Sequence, residues 1–234
     1  MNIAIIPARG GSKRIPRKNI KDFGGRPMIA WSIEAACKSE CFDRIIVSTD
    51  DIEIARVAEK YNAEVPFMRP ATLADDHTGT IPVIAHAIEW LQAQGEIADT
   101  VCCLYATAPF VTTEALQKGY RALCDHADAD YAFAVTSYAF PIQRALRKTA
   151  NGRVEMFQPE HFSTRSQDLE EAWHDAGQFY WGRAEAWQAG RTLFGQRSIP
   201  VPMPRHRVQD IDSPEDWQRA EWLMRVLNQE DSNS

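Results

Sequence analysis

Two groups of side chains in this sequence have the types and spacing to do chemistry, and they stand at opposite ends of it. The first is the run Arg9-Gly10-Gly11-Ser12-Lys13-Arg14-Ile15-Pro16-Arg17-Lys18-Asn19. From Arg9 to Lys21 there are six Lys or Arg and no Asp or Glu, on a chain with 26 basic and 32 acidic residues. A cationic loop on an acidic chain is a local device. Set after a buried strand, it would aim backbone N–H groups and fixed charge at a phosphorylated ligand. Arg9 and Lys18 would clamp phosphate oxygens, one as a planar fork and the other as a point charge. Gly10 and Gly11 permit close backbone approach and positive φ. Ser12 and Asn19 add neutral groups suited to a base or a ribose. The run matches neither GxxxxGK[ST] nor GxGxxG, and an exposed basic loop is the bland alternative.

The second group is Asp210-Ile211-Asp212. In an extended segment both carboxylates face one side while Ile211 points inward. Two hard oxygen ligands suit Mg²⁺, which takes a few carboxylates together with substrate phosphates and waters. The alternative is that Asp212 caps the last helix. His77, His86, His126, His161 and His206 have no metal-ligand spacing. With no GxSxG and no defensible Cys/His pair, the chemistry expected does not use a protein nucleophile.

Positioning these groups falls to an alternation of strands and helices. Ile3 to Ile6 reads as a buried strand, and Pro27 to Lys38 as a helix with Ile29, Ile33 and Cys37 on one face. A strand at Arg44–Ser48 ends in Ser48-Thr49-Asp50-Asp51, which caps a helix from Ile52 to Lys60. Glu64–Phe67 reads as a short strand. A helix from Ile81 to Gln92 follows, with Thr80 as its N-cap and Pro82 in its first turn. Then come a strand (Thr100–Tyr105), a helix (Thr113–Cys124) and a strand (Tyr131–Thr136). Strands separated by helices imply βαβ units and a Rossmann-like α/β fold with a mostly parallel sheet. Ligands then sit outside the C-terminal strand ends, which puts Arg9–Asn19, Ser48–Asp51 and Ala106–Phe110 on one edge.

The alternation breaks at 138–173, where Asn151-Gly152 is a hairpin signal. Scattered aromatics without helical pattern suggest an extended arm that packs on another subunit, so a homodimer is expected. The α/β pattern resumes with a strand at Gln178–Trp181, a helix near Ala184–Ala189 and a strand near Ser198–Met203. The last helix starts at Ser213-Pro214-Glu215-Asp216, and its buried face is Trp217, Ala220, Leu223 and Leu227. The organisation is thus one α/β domain over 1–137 and 174–228, an inserted arm, and a disordered tail at 229–234.

Composition excludes several classes. A pI near 5.6 argues against a nucleic-acid binder. No apolar run approaches the ~18 residues of a membrane helix, and the N-terminus lacks a signal-peptide pattern. Five cysteines without CxxC read as reduced thiols, and a cytoplasmic location is expected.

The run from Ile6 to Asn19 resembles the signature of the acylneuraminate cytidylyltransferases, which join CTP to a nine-carbon 2-keto sugar acid and release pyrophosphate. Val47-Ser-Thr-Asp-Asp51, Arg69-Pro70, Asp76-His-Thr-Gly-Thr80 and Asp210-Ile-Asp212 follow in that family's order. The resemblance implies a three-layer nucleotidyltransferase fold, dependence on Mg²⁺ held by Asp210 and Asp212, and a CTP site lined by the N-terminal loop. In that site Arg9, Gly10, Gly11, Ser12, Lys13, Lys18 and Asn19 would take part, with Lys18 and Arg9 nearest the phosphates. Arg69 and Thr80 would serve the nucleoside end, against the plain alternatives of a surface ion pair and a helix cap. Arg9, Lys18 and Asp212 would be the residues on which turnover depends.

The sugar end departs from the sialate members. Tyr105-Ala-Thr-Ala-Pro109 and His174-Asp-Ala-Gly-Gln-Phe-Tyr-Trp181 resemble the pseudaminic acid branch, whose activated sugar would serve glycosylation of surface structures such as flagellin. Thr107, His174, Gln178 and Tyr180 would read the sugar's polar groups and Phe179 its methyl, although Phe179-Tyr180-Trp181 also reads as core strand. Three other readings stand beside this one. They are a cytidylyltransferase for N-acetylneuraminic or legionaminic acid, a glycosyltransferase whose DxD more often sits mid-chain, and a CTP-binding regulator without turnover.

Overall fold

The first apolar run forms a central strand, β1 (Asn2–Pro7), in which Ile3, Ala4, Ile5 and Ile6 are fully buried. A computed structural model describes residues 1–75 and 78–232 of the chain. After the cationic loop come a small antiparallel hairpin, β2 (Asp22–Phe23) and β3 (Arg26–Pro27), and helix α1 (Met28–Ser39). Ile29 and Ile33 of α1 are buried as expected, but Cys37 is exposed. Strand β4 (Arg44–Ser48) and helix α2 (Ile52–Lys60) have the boundaries read from sequence. The reason is local: the Asp51 carboxylate accepts from the N–H groups of Glu53 (2.9 Å) and Ile54 (3.0 Å), satisfying donors that open the helix.

Glu64–Phe67 is not a strand. It makes only isolated bridges, Ile46 with Glu64 and Thr49 with Met68, because Pro66 between them has no N–H to extend a ladder. Helix α3 (Thr80–Ala93) begins one residue before its expected start, with Gly79 at the N-cap and no side-chain cap. Thr80 is therefore inside the first turn rather than capping it. Strand β5 (Thr100–Leu104), helix α4 (Thr113–Asp125) and strand β6 (Tyr131–Ser137) follow, with Thr112 Oγ1 accepting from Ala115 N at 3.2 Å to start α4.

Within 138–173 the Asn151-Gly152 turn closes a hairpin of β7 (Leu146–Lys148) and β8 (Val154–Met156), and Gly152 adopts φ +78°. The chain returns as β9 (Trp173–Arg183), helix α5 (Ala184–Gln188), β10 (Ser198–Pro202) and α6 (Pro214–Ser232). The last helix runs into the stretch expected to be a disordered tail, through Ser232. Its buried face includes Met224 as well as Trp217, Ala220 and Leu227, while Leu223 is half-buried.

Six strands make one sheet in the order β10-β6-β9-β5-β1-β4. β1 pairs in parallel with β4 and β5, and β10 in parallel with β6, whereas β9 runs antiparallel between β5 and β6. Alternating side chains enter two cores. One joins Ile6, Val47, Cys102, Leu104, Phe179 and Trp181 to α1, α2 and α4, and the other joins Ile3, Ile5, Val101, Cys103, Phe133 and Tyr180 to α3 and α5. The chain passes from β1 to β4 on one side and then crosses to β5 on the other. A crevice opens outside their C-terminal ends at that reversal.

A third core decides where the C-terminal segment lies. Ile15 of the cationic loop, Phe23, Met28, Phe110, Ile211 and Trp217 pack together, with the Trp217 ring edge-on to Phe23 at 5.3 Å. Ile211 is 2% exposed, so its burial pins the flanking Asp210 and Asp212 beside the N-terminal loop.

Candidate active site

At the crevice the structure has a cleft of about 530 Å³, within the range of small-molecule sites. Arg9, Ser12, Lys13, Lys18, Asn19, Arg69, Thr80, Thr107 and Asp212 all line it. These residues come from four separate parts of the sequence, all carried to one edge by the sheet. Sequence reasoning did not single out Arg14, Thr78 or Val83, and used Tyr105 only as the start of a segment; all four line the cleft too. Tyr105 was legible at the C-terminal end of a buried strand, where ligands sit, whereas Val83 was indistinguishable from any core position of an apolar helix.

The loop is held from below by acids. Gly10 N donates to Asp50 Oδ1 at 2.9 Å, and Arg17 pairs with both Asp51 and Glu53. The Arg17 hydrogen bond, opposed in part by burial, holds the Asp51 carboxyl down to about 2. The side-chain amide of Asn19, a buried residue, donates to Arg9 O at 2.9 Å and closes the loop from inside. Gly10 and Gly11 need correction. Neither lines the cleft, and neither has positive φ. Gly10 is required because a Cβ there would meet Asp51 Oδ2 at 2.7 Å, while Gly11 has open space.

Cationic side chains divide between the two ends of the cleft. Lys18 Nζ donates to Ile211 O (2.7 Å) and Asp212 Oδ1 (3.1 Å), and Arg14 donates to Asp212 Oδ2 at 2.7 Å. Arg9 turns the other way, donating to Asp75 O at 2.8 Å. Arg69 is not a surface ion pair. It is 6% exposed, its Nε donates to Ser48 Oγ at 3.1 Å, and its Nη2 donates to Ser48 O. Burial, together with the nearby positive charge of Arg9, lowers its pKa to about 10 against the pull of Asp50. It stays cationic at neutral pH, aimed at the cleft. Asp76 and His77 of the Asp76–Thr80 motif lie outside the described residues.

The donor set at Asp210 and Asp212 fits a hard divalent cation. Burial and the neighbouring charge of Asp212 push the Asp210 carboxyl up. Burial works against the Asp212 charge as well, but hydrogen bonds and charge from Lys18 and Arg14 outweigh it and hold that carboxyl down. Asp212 lines the cleft while Asp210, exposed, does not, and a cation held between the two would relieve the repulsion of their carboxylates. No group of three or more His, Cys, Asp or Glu forms a metal cage among the described residues.

The sugar residues read from β9 are a correction. Phe179 is fully buried on the α4 side and Tyr180 is 2% exposed on the α3 side, because β9 is an interior strand covered on both faces. Gln178 is also buried, its amide donating to Arg207 O at 2.5 Å, and His174 packs its ring against Tyr138 at 4.8 Å. None of these four lines the cleft; only Thr107 of the sugar set does.

Comparison with known proteins agrees with this geometry. A family model described as Cytidylyltransferase matches residues 3–232. The chain is 47% identical to a pseudaminic acid cytidylyltransferase of Campylobacter jejuni, covering 96% of this chain and 97% of that one. It is 32% identical to a CMP-N,N'-diacetyllegionaminic acid synthase of Legionella pneumophila, covering 97% of each. Among solved structures, a CMP:2-keto-3-deoxy-manno-octonic acid synthetase complexed with CTP superposes with a TM-score of 0.69 at 17% identity, covering 96% of this chain and 98% of that one. That likeness speaks to the fold, a three-layer α/β nucleotidyltransferase architecture. With a family match over nearly its whole length and relatives alike from end to end, this chain belongs to the cytidylyltransferase family.

Proposed function

We propose that this chain transfers CMP from CTP to the nine-carbon 2-keto sugar acid pseudaminic acid, releasing pyrophosphate. The observation that carries the reading is the single cleft in which the cationic loop, Arg69, Thr80 and Asp212 meet. The choice of sugar rests on the relatives of that activity aligning along nearly the whole chain.

The reaction is a direct displacement. The anomeric hydroxyl of the sugar loses its proton to solvent as its oxygen attacks the α-phosphorus, a new P–O bond forms, and the bond to the bridging oxygen of the β-phosphate breaks as pyrophosphate leaves. Little covalent work falls to the protein, so rate comes from positioning and charge. Lys18, oriented in advance by Ile211 O and Asp212, places one cation at the phosphates. Lys13 and Arg14 also line the cleft and offset charge that develops on the leaving group. Arg9, expected beside Lys18 at the phosphates, instead turns to the nucleoside end, which it holds with Arg69, Ser12, Asn19 and Thr80, and there Val83 and Tyr105 offer an apolar wall to a flat base. Thr107 faces the incoming sugar. Asp210 and Asp212 would hold Mg²⁺, which when bound neutralises the α-phosphate and lowers the pKa of the attacking hydroxyl.

The arm at 138–173 serves dimerisation in this reading. It exposes Phe140 (83%), Phe162 (79%) and Phe157 (59%) on one insertion, apolar side chains that a second copy would cover. The cytoplasm suits a consumer of CTP, and all five cysteines are free thiols.

Pyrophosphate release tests the function. CTP is incubated with pseudaminic, legionaminic or N-acetylneuraminic acid, with and without Mg²⁺. Turnover with pseudaminic acid and Mg²⁺, well above the other two acids, is expected. No release with any acid overturns the function, and preference for another acid overturns the substrate.

A further inference from the structure

One cation of the N-terminal loop takes no part in lining the cleft. Arg17 is absent from its wall, although Ile15 before it and Lys18 after it both belong there. Its guanidinium turns instead to the start of α2. There Nη1 pairs with Asp51 Oδ2, while Nη2 donates to Asp51 Oδ1 at 3.1 Å and pairs with Glu53.

The backbone at Arg17 is as unusual as the direction of its charge. Among the described residues, three other than glycine have positive φ: Arg17 (+57°), Glu40 (+55°) and Asn62 (+70°). Glu40 closes α1 and Asn62 follows the last turn of α2, places where left-handed residues commonly end helices. Arg17 ends no helix. Lys18 N donates to Ile15 O at 3.2 Å across a turn whose second residue is Pro16 and whose third is Arg17, at φ +57° and ψ +28°. Proline second and positive φ third make a type II turn, whose third position ordinarily takes Gly or Asn. A Cβ crowds that left-handed backbone. Arginine keeps it here because two acids of α2 hold the side chain.

The turn sets the residue that follows it. Before it, Ile15 is buried in the third core. After it comes one 3-10 turn, Lys18–Ile20, with Ile20 N and Lys21 N donating to Arg17 O at 3.0 and 2.9 Å. From that turn Lys18 Nζ reaches Ile211 O and Asp212. Without the anchor, a residue bearing a Cβ would relax to the negative φ of a type I turn, and the peptide before it would flip. Lys18 would then shift against the phosphates it serves.

We propose that Arg17 is a positioning residue: tied to Asp51 and Glu53, it locks the left-handed turn that aims Lys18 at Asp212 and the triphosphate. The proposal rests on the CTP reading above and adds the device that holds its phosphate-side lysine in place. Arg17 itself touches neither nucleotide nor sugar.

The test is kcat for pyrophosphate release, with whichever acid the wild type turns over best, in Arg17→Ala, Arg17→Gly and Asp51→Asn. Each variant is also made in a Lys18→Met background. Arg17→Ala loses the anchor and disfavours the turn, so it should lower kcat at least about tenfold. Arg17→Gly loses the anchor alone and should regain at least about fivefold over alanine. Asp51→Asn keeps an oxygen to cap α2 but loses the charge that holds Arg17, and should lower kcat at least about threefold. With Lys18→Met in place, all three changes should cost less than about twofold, because the residue they act through is gone. Thermal unfolding should place Arg17→Gly at or above Arg17→Ala, the reverse of the usual order. Should Arg17→Ala not fold, Asp51→Asn with and without Lys18→Met decides the matter. Equal losses in the alanine and glycine variants, an alanine variant as active as wild type, or losses undiminished in the Lys18→Met background overturn this inference alone. Wild type that releases no pyrophosphate with any acid overturns the CTP reading and this inference with it.

Discussion

The ammonium of Lys18 lies 3.1 Å from the carboxylate of Asp212, although 194 positions of sequence separate them. One residue ends the cationic loop and the other precedes the last helix, so this contact brings the two chemical groups of the chain together. What brings them together is apolar: Ile15 and Ile211, each beside one partner, share a core with Phe23 and Trp217.

Removing either charge should cost turnover rather than fold. Lys18→Met and Asp212→Asn are expected to lower kcat/KM by about 100-fold or more. Each should change stability by no more than about 1 kcal/mol, because the pair is partly exposed. Pyrophosphate release and chemical denaturation measured on the same preparations check this; near-wild-type turnover in either variant would remove that residue from the mechanism.

Chelation should separate binding from reaction. With EDTA in excess, pyrophosphate release is expected to stop and to return on adding Mg²⁺, while the thermal midpoint of the apoprotein stays unchanged because the described residues form no cage of three or more metal-ligating side chains. Asp210→Asn should raise the Mg²⁺ concentration needed for half-maximal rate. A full rate in EDTA would refute the metal role of both aspartates.

Gly10→Ala tests how tightly the loop is seated. The added Cβ would meet Asp51 Oδ2 at 2.7 Å and Asp51 Cβ at 3.0 Å. Asp51 cannot swing aside without breaking the cap on α2 and its pair with Arg17. A destabilisation of about 1–3 kcal/mol is expected, with a raised KM for CTP, read by urea unfolding and initial rates. An unchanged midpoint would mean the loop has slack.

Acid should erase the contribution of Arg17. The Asp51 carboxyl sits at about 2 in the fold against an ordinary 3.8, held down first by its hydrogen bond to Arg17. A depressed carboxylate stabilises the fold above its unfolded pKa and stops doing so as pH falls through the folded value. The melting temperature of wild type should therefore exceed that of Arg17→Met at about pH 6, with the gap closing between about pH 4 and pH 2. A gap that persists at the acid end would assign the effect to packing.

Charge placed on the arm should dissociate the dimer proposed above. Phe140→Asp and Phe162→Asp alter side chains 83% and 79% exposed in the single chain, so neither disturbs the core. Sedimentation velocity is expected to show a homodimer for wild type and a shift to monomer for the double variant. A wild-type monomer at all concentrations would refute the role of the arm.

Local order was legible before any fold was known. The alternation of buried strands and amphipathic helices, the Asp51 cap, the Asn151-Gly152 turn and the inward Ile211 each depend on a few neighbouring residues, so pattern alone located them. The cationic loop was legible for the same reason, since its charge is contiguous in sequence. Tertiary structure alone decided which side chains share the cleft. β9 reads as a strand in either case, but only its place between β5 and β6 sends Phe179 and Tyr180 into two cores instead of toward a sugar. Only its bulge at Gly177 sets Asp175 under Tyr180. Contacts between distant residues depend on how layers pack and how strands register, and neither is written in the spacing of the residues that meet. The sequence by itself determined the elements and their charges. The packing of α6 over the N-terminal loop made Lys18 and Asp212 neighbours.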